Sequence, residues 1–337
     1  MQSQRTLLVC EFITGGGLVG ADLPESLARE GALMRDALLR DLILLNEWQI
    51  ITTHDARVPP PDDKVNSHAI TPEQDIWAVW RDCMALADAV WVIAPESEGV
   101  LLRIAELANA NQALWIGATQ EAIAISSDKY RMAQVLAKAK LPVIPSYIYE
   151  EWMPNNDGSW VVKPNDGAGC AVTFVFSNAK DVNQWFDADA RRSHTHIIQP
   201  YLLGIPASIS VIGSKHSIIV LSCNLQSMRL HHEQLSYTGG VINGAVEYWV
   251  QLSELAQQVK EAIPGLMGYF GIDVLLHTDV EYGISIIEIN PRLTTSYVYL
   301  NEAIGCNPAK LVLDAMFKEC VDVTAIKRNL VEFNVEN

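Results

Sequence analysis

Two carboxylates and an amide, Asp273, Glu288 and Asn290, lie in two apolar runs, GIDVLLH (271–277) and ISIIEIN (284–290). Carboxylates are seldom buried without a partner, because losing their hydration costs several kcal/mol or the charge itself. Folding the chain symmetrically about the intervening TDVEYG makes the two runs an antiparallel hairpin, with Asp273 directly across from Glu288. Asn290, two residues further along, shares their face. Like charges opposite one another destabilise a sheet unless a cation sits between them. Three hard oxygen donors on one face suit Mg²⁺ or Mn²⁺. The competing reading is a solvated polar face with a salt bridge to Arg292, just past the strand end. Magnesium borrows much of its shell from substrate phosphates, so the constellation predicts a nucleoside triphosphate.

Something must then hold the phosphates. Lys163 closes the apolar run SWVVKP and is followed at once by NDGAGC (165–170). A glycine-rich loop exposes backbone N–H groups, so Lys163 with Asp166, Gly167, Ala168 and Gly169 forms a candidate phosphate grip. The P-loop pattern GxxxxGK[ST] is absent. Lys129 opens a helix, where the macrodipole disfavours a cation unless an anion faces that end. A solvated surface lysine is the alternative there. QPYLL (199–203) reads as a connector whose backbone and apolar side chains could hold adenine edge-on.

The elements that must position these groups follow from hydrophobic periodicity. Strands at 5–13, 48–55, 88–94 and 113–118 alternate with helices near 26–45 and 100–109, which predicts a small open α/β sheet over residues 1–120. From 128 onward the pattern is α+β. A helix over 128–140 carries Met132, Val135, Leu136 and Ala139 at i, i+3, i+4 and i+7 and stops before Pro142. Strands near 143–149, 160–164 and 171–176, a helix near 180–190 and the strand HIIQPYL follow. A second unit holds strands at 207–213 and 217–224, a polar loop over 226–247, a helix at 252–263, the hairpin and a final helix from Pro308.

Composition bounds the partners. The net charge is −16, with no basic run longer than a pair, which disfavours nucleic acid or an anionic membrane. No stretch approaches the ~18 apolar residues of a membrane span, and the N-terminus reads as a first strand, not a signal peptide. The six cysteines include no CxxC pair, so reduced thiols in a cytoplasmic protein are expected. Self-association is left open.

With these parts in order, SSDKY, VVKPNDGAG, QPYLLGIPASISV, GIDVLL and IIEINPR resemble the ATP-grasp superfamily over roughly residues 126–320. The resemblance implies an ATP-grasp fold: a pre-ATP-grasp α/β domain (1–120), a small lid subdomain (121–200) and a large subdomain carrying the metal site (201–325), the last two clasping ATP. It implies Lys129 and Lys163 on the phosphates, Gln199, Tyr201 and Leu202 at the adenine, and Asp273, Glu288 and Asn290 on the metal. The chemistry implied is phosphorylation of a carboxylate by ATP and attack by an amine, with Arg292 steadying the acyl phosphate. One departure stands out. Many members place an acid for the ribose after the connector, and here GIPAS offers Ser208.

Two further stretches, EFITGGGL (11–18) and APESEGVL (94–101), follow buried strands and so fall at the carboxyl edge of the sheet, where open α/β sheets bind ligands. Glu11, Gly15, Gly16 and Glu96 are therefore candidate substrate residues, against the plainer reading of a tight turn and a helix cap. With EINPRLTTSY they resemble the tyramine–glutamate ligases of methanofuran biosynthesis, which implies glutamate and tyramine as small-molecule substrates. In the 226–247 loop, taken as a lid, Arg229 could hold a carboxylate, and Tyr237 with Gly239 and Gly240 could shape an aromatic pocket. His231 and His232 are expected to face solvent. An ATP-grasp ligase for another acid–amine pair and a non-catalytic adenine-nucleotide sensor remain alternatives.

Overall fold

The computed structural model describes residues 4–154, 158–167, 172–278, 283–318 and 321–335. Residues 7–10 are four consecutive apolar side chains with no solvent exposure, the pattern of a parallel strand covered on both faces. Strand β1 (Arg5–Glu11) is the middle of a parallel sheet with β2 (Trp48–Asp55), β3 (Asn66–Ile70), β4 (Ala89–Ile93) and β5 (Leu114–Ile116), in the order β3-β2-β1-β4-β5. Leu7 and Val9 pack with Leu38 and Leu42 of α1 (Glu25–Leu45). Leu8 and Cys10 point the other way, into a core with Trp80 of α2 (Ile76–Leu86) and Ile104 of α3 (Val100–Ala110). The strand order reverses between β1 and β4, so a crevice opens at their carboxyl ends.

Helices α4 (Gln120–Ser126) and α5 (Lys129–Lys138) lead into the second sheet, which is antiparallel throughout. Its path is β13 (Ile284–Asn290), β12 (Gly268–Leu276), β9 (Ile205–Gly213), β10 (Ile218–His231), β11 (Gln234–Ile242), β7 (Thr173–Phe176), β6 (Trp160–Pro164) and β8 (His196–Pro200), with β14 (Val331–Asn334) also on β11. Helices α6 (Ala179–Asp187) and α7 (Arg192–Thr195) belong to the β6–β8 end. There α6 closes a separate small core through Val182 and Phe186 against Trp160, Val162 and Ile198. Helix α8 (Trp249–Ala262) packs on one face of the central strands through Leu252 and Val259. The other face is covered by α9 (Tyr297–Ile304) and α10 (Pro308–Phe317) through Leu300 and Val312. The two ends of the sheet meet at a narrow seam, where Gln234 and Leu235 pair with Phe174 and Thr173.

The stretch expected to be a polar loop, 226–247, is mostly the distal half of the β10–β11 hairpin. Its turn is the pair His232 and Glu233, both with positive φ (45° and 66°), the backbone that matches strand twist in a two-residue hairpin. The sequence did not announce it because much of this ribbon is exposed, so neither strand needs an apolar alternation there. The strand expected at 143–149 makes only two isolated bridges among the described residues, Val143 to Ile286 and Tyr147 to Ile198. Elements β3, α2, α4, α7, α9 and β14 were not anticipated.

Candidate active site

The β12–β13 hairpin pairs Asp273 with Glu288 and Gly271 with Asn290, as symmetric folding about the turn requires. The register then shifts between Asp273 and Val274. This β-bulge lets the adjacent residues Ile287 and Glu288 both border the same cavity, which strict alternation would forbid. Asp273 accepts hydrogen bonds from Asn290 Nδ2 at 3.0 Å and from Gln226 Nε2, on β10, at 2.9 Å. Burial and the facing Glu288 charge push the Asp273 carboxyl up to about 7. Burial acts on Glu288 in the same direction, but Lys129 and Lys163 outweigh it and hold that carboxyl at about 2.

Both lysines converge on Glu288. Lys163 Nζ is 3.4 Å from Glu288 Oε2, and Lys129 Nζ is 3.7 Å from the same oxygen. Lys129 also donates to the Gly167 carbonyl, so the start of α5 and the loop after β6 are tied together by a side chain. Asp128 caps α5 by accepting from the Arg131 N–H at 2.9 Å, which orients the first turn and with it Lys129. A divalent cation fits the donor chemistry of the acidic face. Asp273 is a half-buried carboxylate opposed by a second negative charge, and the hydrogen bonds described for it come from neutral amides. The set is two carboxylates and an amide; no group of three or more His, Cys, Asp and Glu side chains among the described residues is arranged for a metal. Such a small protein set leaves coordination positions for water and substrate oxygens.

These groups border a cavity of about 440 Å³ that runs from the acidic face to the β1–β4 crevice. Lys129, Lys163, Gly167, Gln199, Tyr201, Leu202, Asp273, Glu288, Asn290 and Arg292 all line it, as do Glu11 and Tyr237. Gln199 is buried on β8 and donates to Ser146 Oγ at 2.8 Å. The Tyr201 N–H is already engaged by the Ser159 carbonyl at 2.9 Å, so this connector residue offers a ligand its carbonyl and ring only. Ser208 lines the cavity and receives a hydrogen bond from Asn224 at 3.3 Å. Ala168 and Gly169 lie outside the described residues.

Other expected site residues sit elsewhere. Asp166 accepts from the Glu98 N–H at 2.9 Å, linking the loop to the first sheet's unit. Gly15 and Gly16 are packed into the turn after β1, where a Cβ on Gly16 would lie 2.8 Å from Ile70 and φ is +103°. Gly239 and Gly240 permit strand crossing: Cβ atoms there would approach the carbonyls of Phe333 and Leu225 to 2.2 and 2.3 Å. Arg229 is exposed on the hairpin and does not border the cavity, whereas its neighbour Met228 does. Strand alternation explains this difference.

The two acids read as substrate residues have structural partners. Glu11 accepts from the Ile13 and Thr14 N–H groups at 2.8 and 2.6 Å and from the Thr14 hydroxyl at 2.5 Å. Burial nonetheless pushes its carboxyl up. Glu96 is buried against Arg292, with Oε2 3.0 Å from both Nε and Nη2. Burial works against the Arg292 charge, but Glu96, Glu30 and Glu288 prevail and raise its pKa. Sequence reasoning missed Gln226, and it missed Leu27, Glu30, Gly31 and Met34 of α1, all cavity-lining. Their spacing of i, i+3, i+4 and i+7 was visible as one helix face.

Residues 126–296 match the ATP-grasp domain, and residues 48–123 match the pre ATP-grasp 3 domain. The chain belongs to the ATP-grasp family. Among curated relatives it is 29% identical over 210 residues to a tyramine–L-glutamate ligase of Methanocaldococcus jannaschii, covering 62% of this chain and 57% of that protein. A protein of the same name from Methanocaldococcus fervens is 25% identical over 276 residues, covering 81% of this chain and 82% of its own. The fold is shared with a crystal structure of an ATP-grasp superfamily protein from Archaeoglobus fulgidus (TM-score 0.72, 21% identity, 98% and 99% of the two chains). It is also shared with an L-amino acid ligase from Bacillus licheniformis (TM-score 0.68, 14% identity, 94% and 75%). A third such structure is the biotin carboxylase domain of the Hydrogenobacter thermophilus 2-oxoglutarate carboxylase, in complex with MgADP (TM-score 0.74, 13% identity, 97% and 73%). Among the described residues no helix is long and apolar enough to cross a membrane.

Proposed function

We propose that this chain is an ATP-dependent carboxylate–amine ligase that joins the γ-carboxylate of glutamate to the amine of tyramine, a step of methanofuran biosynthesis in the cytoplasm. The observation that carries the ligase reading is the single cavity in which two buried lysines and an Asp–Glu–Asn face stand beside Arg292 and open toward the first sheet's switch point. The substrate pair is supported by the two relatives' names and by their alignment over much of the chain.

In this reading the unit 121–200 closes over ATP, 201–325 carries the acidic face and 1–120 supplies the wall nearest the acceptor. Lys129, Lys163 and the Gly167 loop hold the phosphates, and Gln199, Tyr201 and Leu202 hold the adenine. Asp273, Glu288 and Asn290 would hold Mg²⁺ or Mn²⁺, which when bound supplies charge neutralisation as the phosphoryl group moves. The substrate carboxylate attacks the γ-phosphorus and ADP leaves. The amine nitrogen then attacks the acyl carbon, the C–N bond forms, inorganic phosphate departs with the C–O electron pair, and the proton shed by nitrogen goes to the departing phosphate. Arg292, fixed by Glu96, is a preorganised cation for the acyl phosphate, and a preorganised charge costs no reorganisation during the reaction.

The test is ADP release from purified protein with ATP, Mg²⁺, L-glutamate and tyramine, each omitted in turn. Release that needs both substrates, with a γ-glutamyltyramine mass in the product, is the expected result. Release with other acids or amines but not this pair would keep the ligase class and remove the substrates. Failure of the folded protein to bind ATP would overturn the class as well.

A further inference from the structure

Among the described residues, four acids border the cavity: Glu11, Glu30, Asp273 and Glu288. Three are already committed. Glu11 is held by three donors from the turn after β1, and Asp273 and Glu288 form the acidic face opposite the lysines. Glu30 differs, because the hydrogen bond it accepts among the described residues comes from a neutral hydroxyl, that of Thr295, at 2.7 Å. It nevertheless sits close enough to Arg292 to strengthen that residue's charge. A carboxylate in a cavity, near the reacting end and hydrogen-bonded among the described residues by a hydroxyl, is suited to a cation brought by the substrate.

The surroundings of Glu30 define the rest of that substrate. On the same face of α1 stand Leu27 and Met34, with Gly31 between, where a Cβ would come within 2.8 Å of Glu11 Oε1. Also lining the cavity are Ile13, in the turn after β1, and Ile93, the last residue of β4. The slot is therefore apolar apart from Glu30 and Glu11, and Glu11 is already held by the donors of its own turn.

We propose that Glu30 binds the acceptor amine as its ammonium and accepts the proton whose loss frees the nitrogen lone pair for attack, and that the Leu27–Met34 face of α1 receives the amine's apolar body, so that this helix selects the amine. The inference rests on the ligase reading above and goes beyond it by assigning the amine subsite. It separates the two substrates: Arg292 and the acidic face serve the activated carboxylate, and α1 serves the nucleophile. The acceptor class is a primary amine on an apolar, aryl-sized chain.

The experiment is steady-state ADP release by the full-length protein with tyramine, L-glutamate and ATP varied separately, for wild type, E30Q, E30D and L27A. E30Q should raise the tyramine KM at least tenfold while the KM values for glutamate and ATP stay within twofold. E30D, which keeps the charge, should recover part of the loss. L27A, at a position 44% exposed and so tolerant of truncation, should lower the preference for tyramine over ethylamine several-fold. A tyramine KM unchanged in E30Q, or a rise that falls on glutamate instead, overturns the assignment. Should E30Q fail to fold, an unchanged tyramine-to-ethylamine ratio in L27A overturns it alone. Wild-type protein that releases ADP with no amine at all would sink the ligase reading and this inference together, whereas active wild type with an unshifted E30Q isolates the failure to Glu30.

Discussion

Glu96 and Arg292, 196 residues apart in the chain, join two units, and substituting Glu96 by Gln tests how much the site depends on that junction. Glu96 is buried, at 5% side-chain exposure, and Arg292 nearly so, at 12%, and Arg292 places Nε and Nη2 at 3.0 Å from the same carboxylate oxygen. Breaking a buried pair by removing one partner costs about 3–5 kcal/mol, chiefly because the remaining charge is stranded. Here the cost should fall at or below the low end, about 2–3 kcal/mol, for two reasons. Glu30 and Glu288 also favour the Arg292 charge and would recapture part of it. Glu96 Oε1 is itself buried without a hydrogen bond among the described residues, so the pair is not fully satisfied there. The assay is a double-mutant cycle on urea unfolding, with E96Q, R292M and the double variant followed by far-UV circular dichroism and tryptophan fluorescence. Coincident transitions establish that one free energy describes the process. The double variant should lose less than the sum of the singles, with a coupling of about 2 kcal/mol, and added salt should change it little because buried pairs are weakly screened. A coupling below about 0.5 kcal/mol would refute the reasoning and make the contact incidental.

Three other outcomes are expected. E288Q should retain its far-UV circular dichroism while losing roughly tenfold or more in ATP turnover, and a fully active variant would remove Glu288 from the site. G240A should lower stability by about 1–3 kcal/mol, the cost of overpacking, because its Cβ would lie 2.3 Å from the Leu225 carbonyl oxygen; an unchanged urea midpoint would show that the strands can part at no cost. Lys260 is a pH probe: burial holds its ammonium down at about 8, below the ordinary 10.5. The folded state therefore resists the charged form, so stability should rise as pH climbs from about 8 toward 10.5. K260M should flatten that slope, and an identical pH profile in the variant would contradict the assignment.

The face of the β12–β13 hairpin was legible because a strand's two-residue period is local. Once Asp273 and Glu288 lie in apolar runs joined by a short turn, their opposition follows. The lysine before NDGAGC and the alternation of strands and helices over the first 120 residues were legible for the same reason. Distal β10–β11 was not, since an exposed ribbon has no core to impose an apolar pattern. The glycines at 15, 16, 239 and 240 looked like ligand-approach positions, yet what approaches them is the protein's own side chains and backbone. Only packing identifies the neighbour that a missing Cβ admits.

Taken alone, then, the sequence determined which residues could bear phosphate and metal chemistry, because burial and period write themselves into composition residue by residue. The tertiary structure decided which of the acids remain available to a substrate. Glu96 is spent on Arg292 and Glu11 on its own turn, while Gln226 reaches Asp273 from β10 and Glu30 faces the cavity from α1. These assignments depend on contacts between elements far apart in the chain, and a charge's availability is set by what packs around it, which no local pattern encodes.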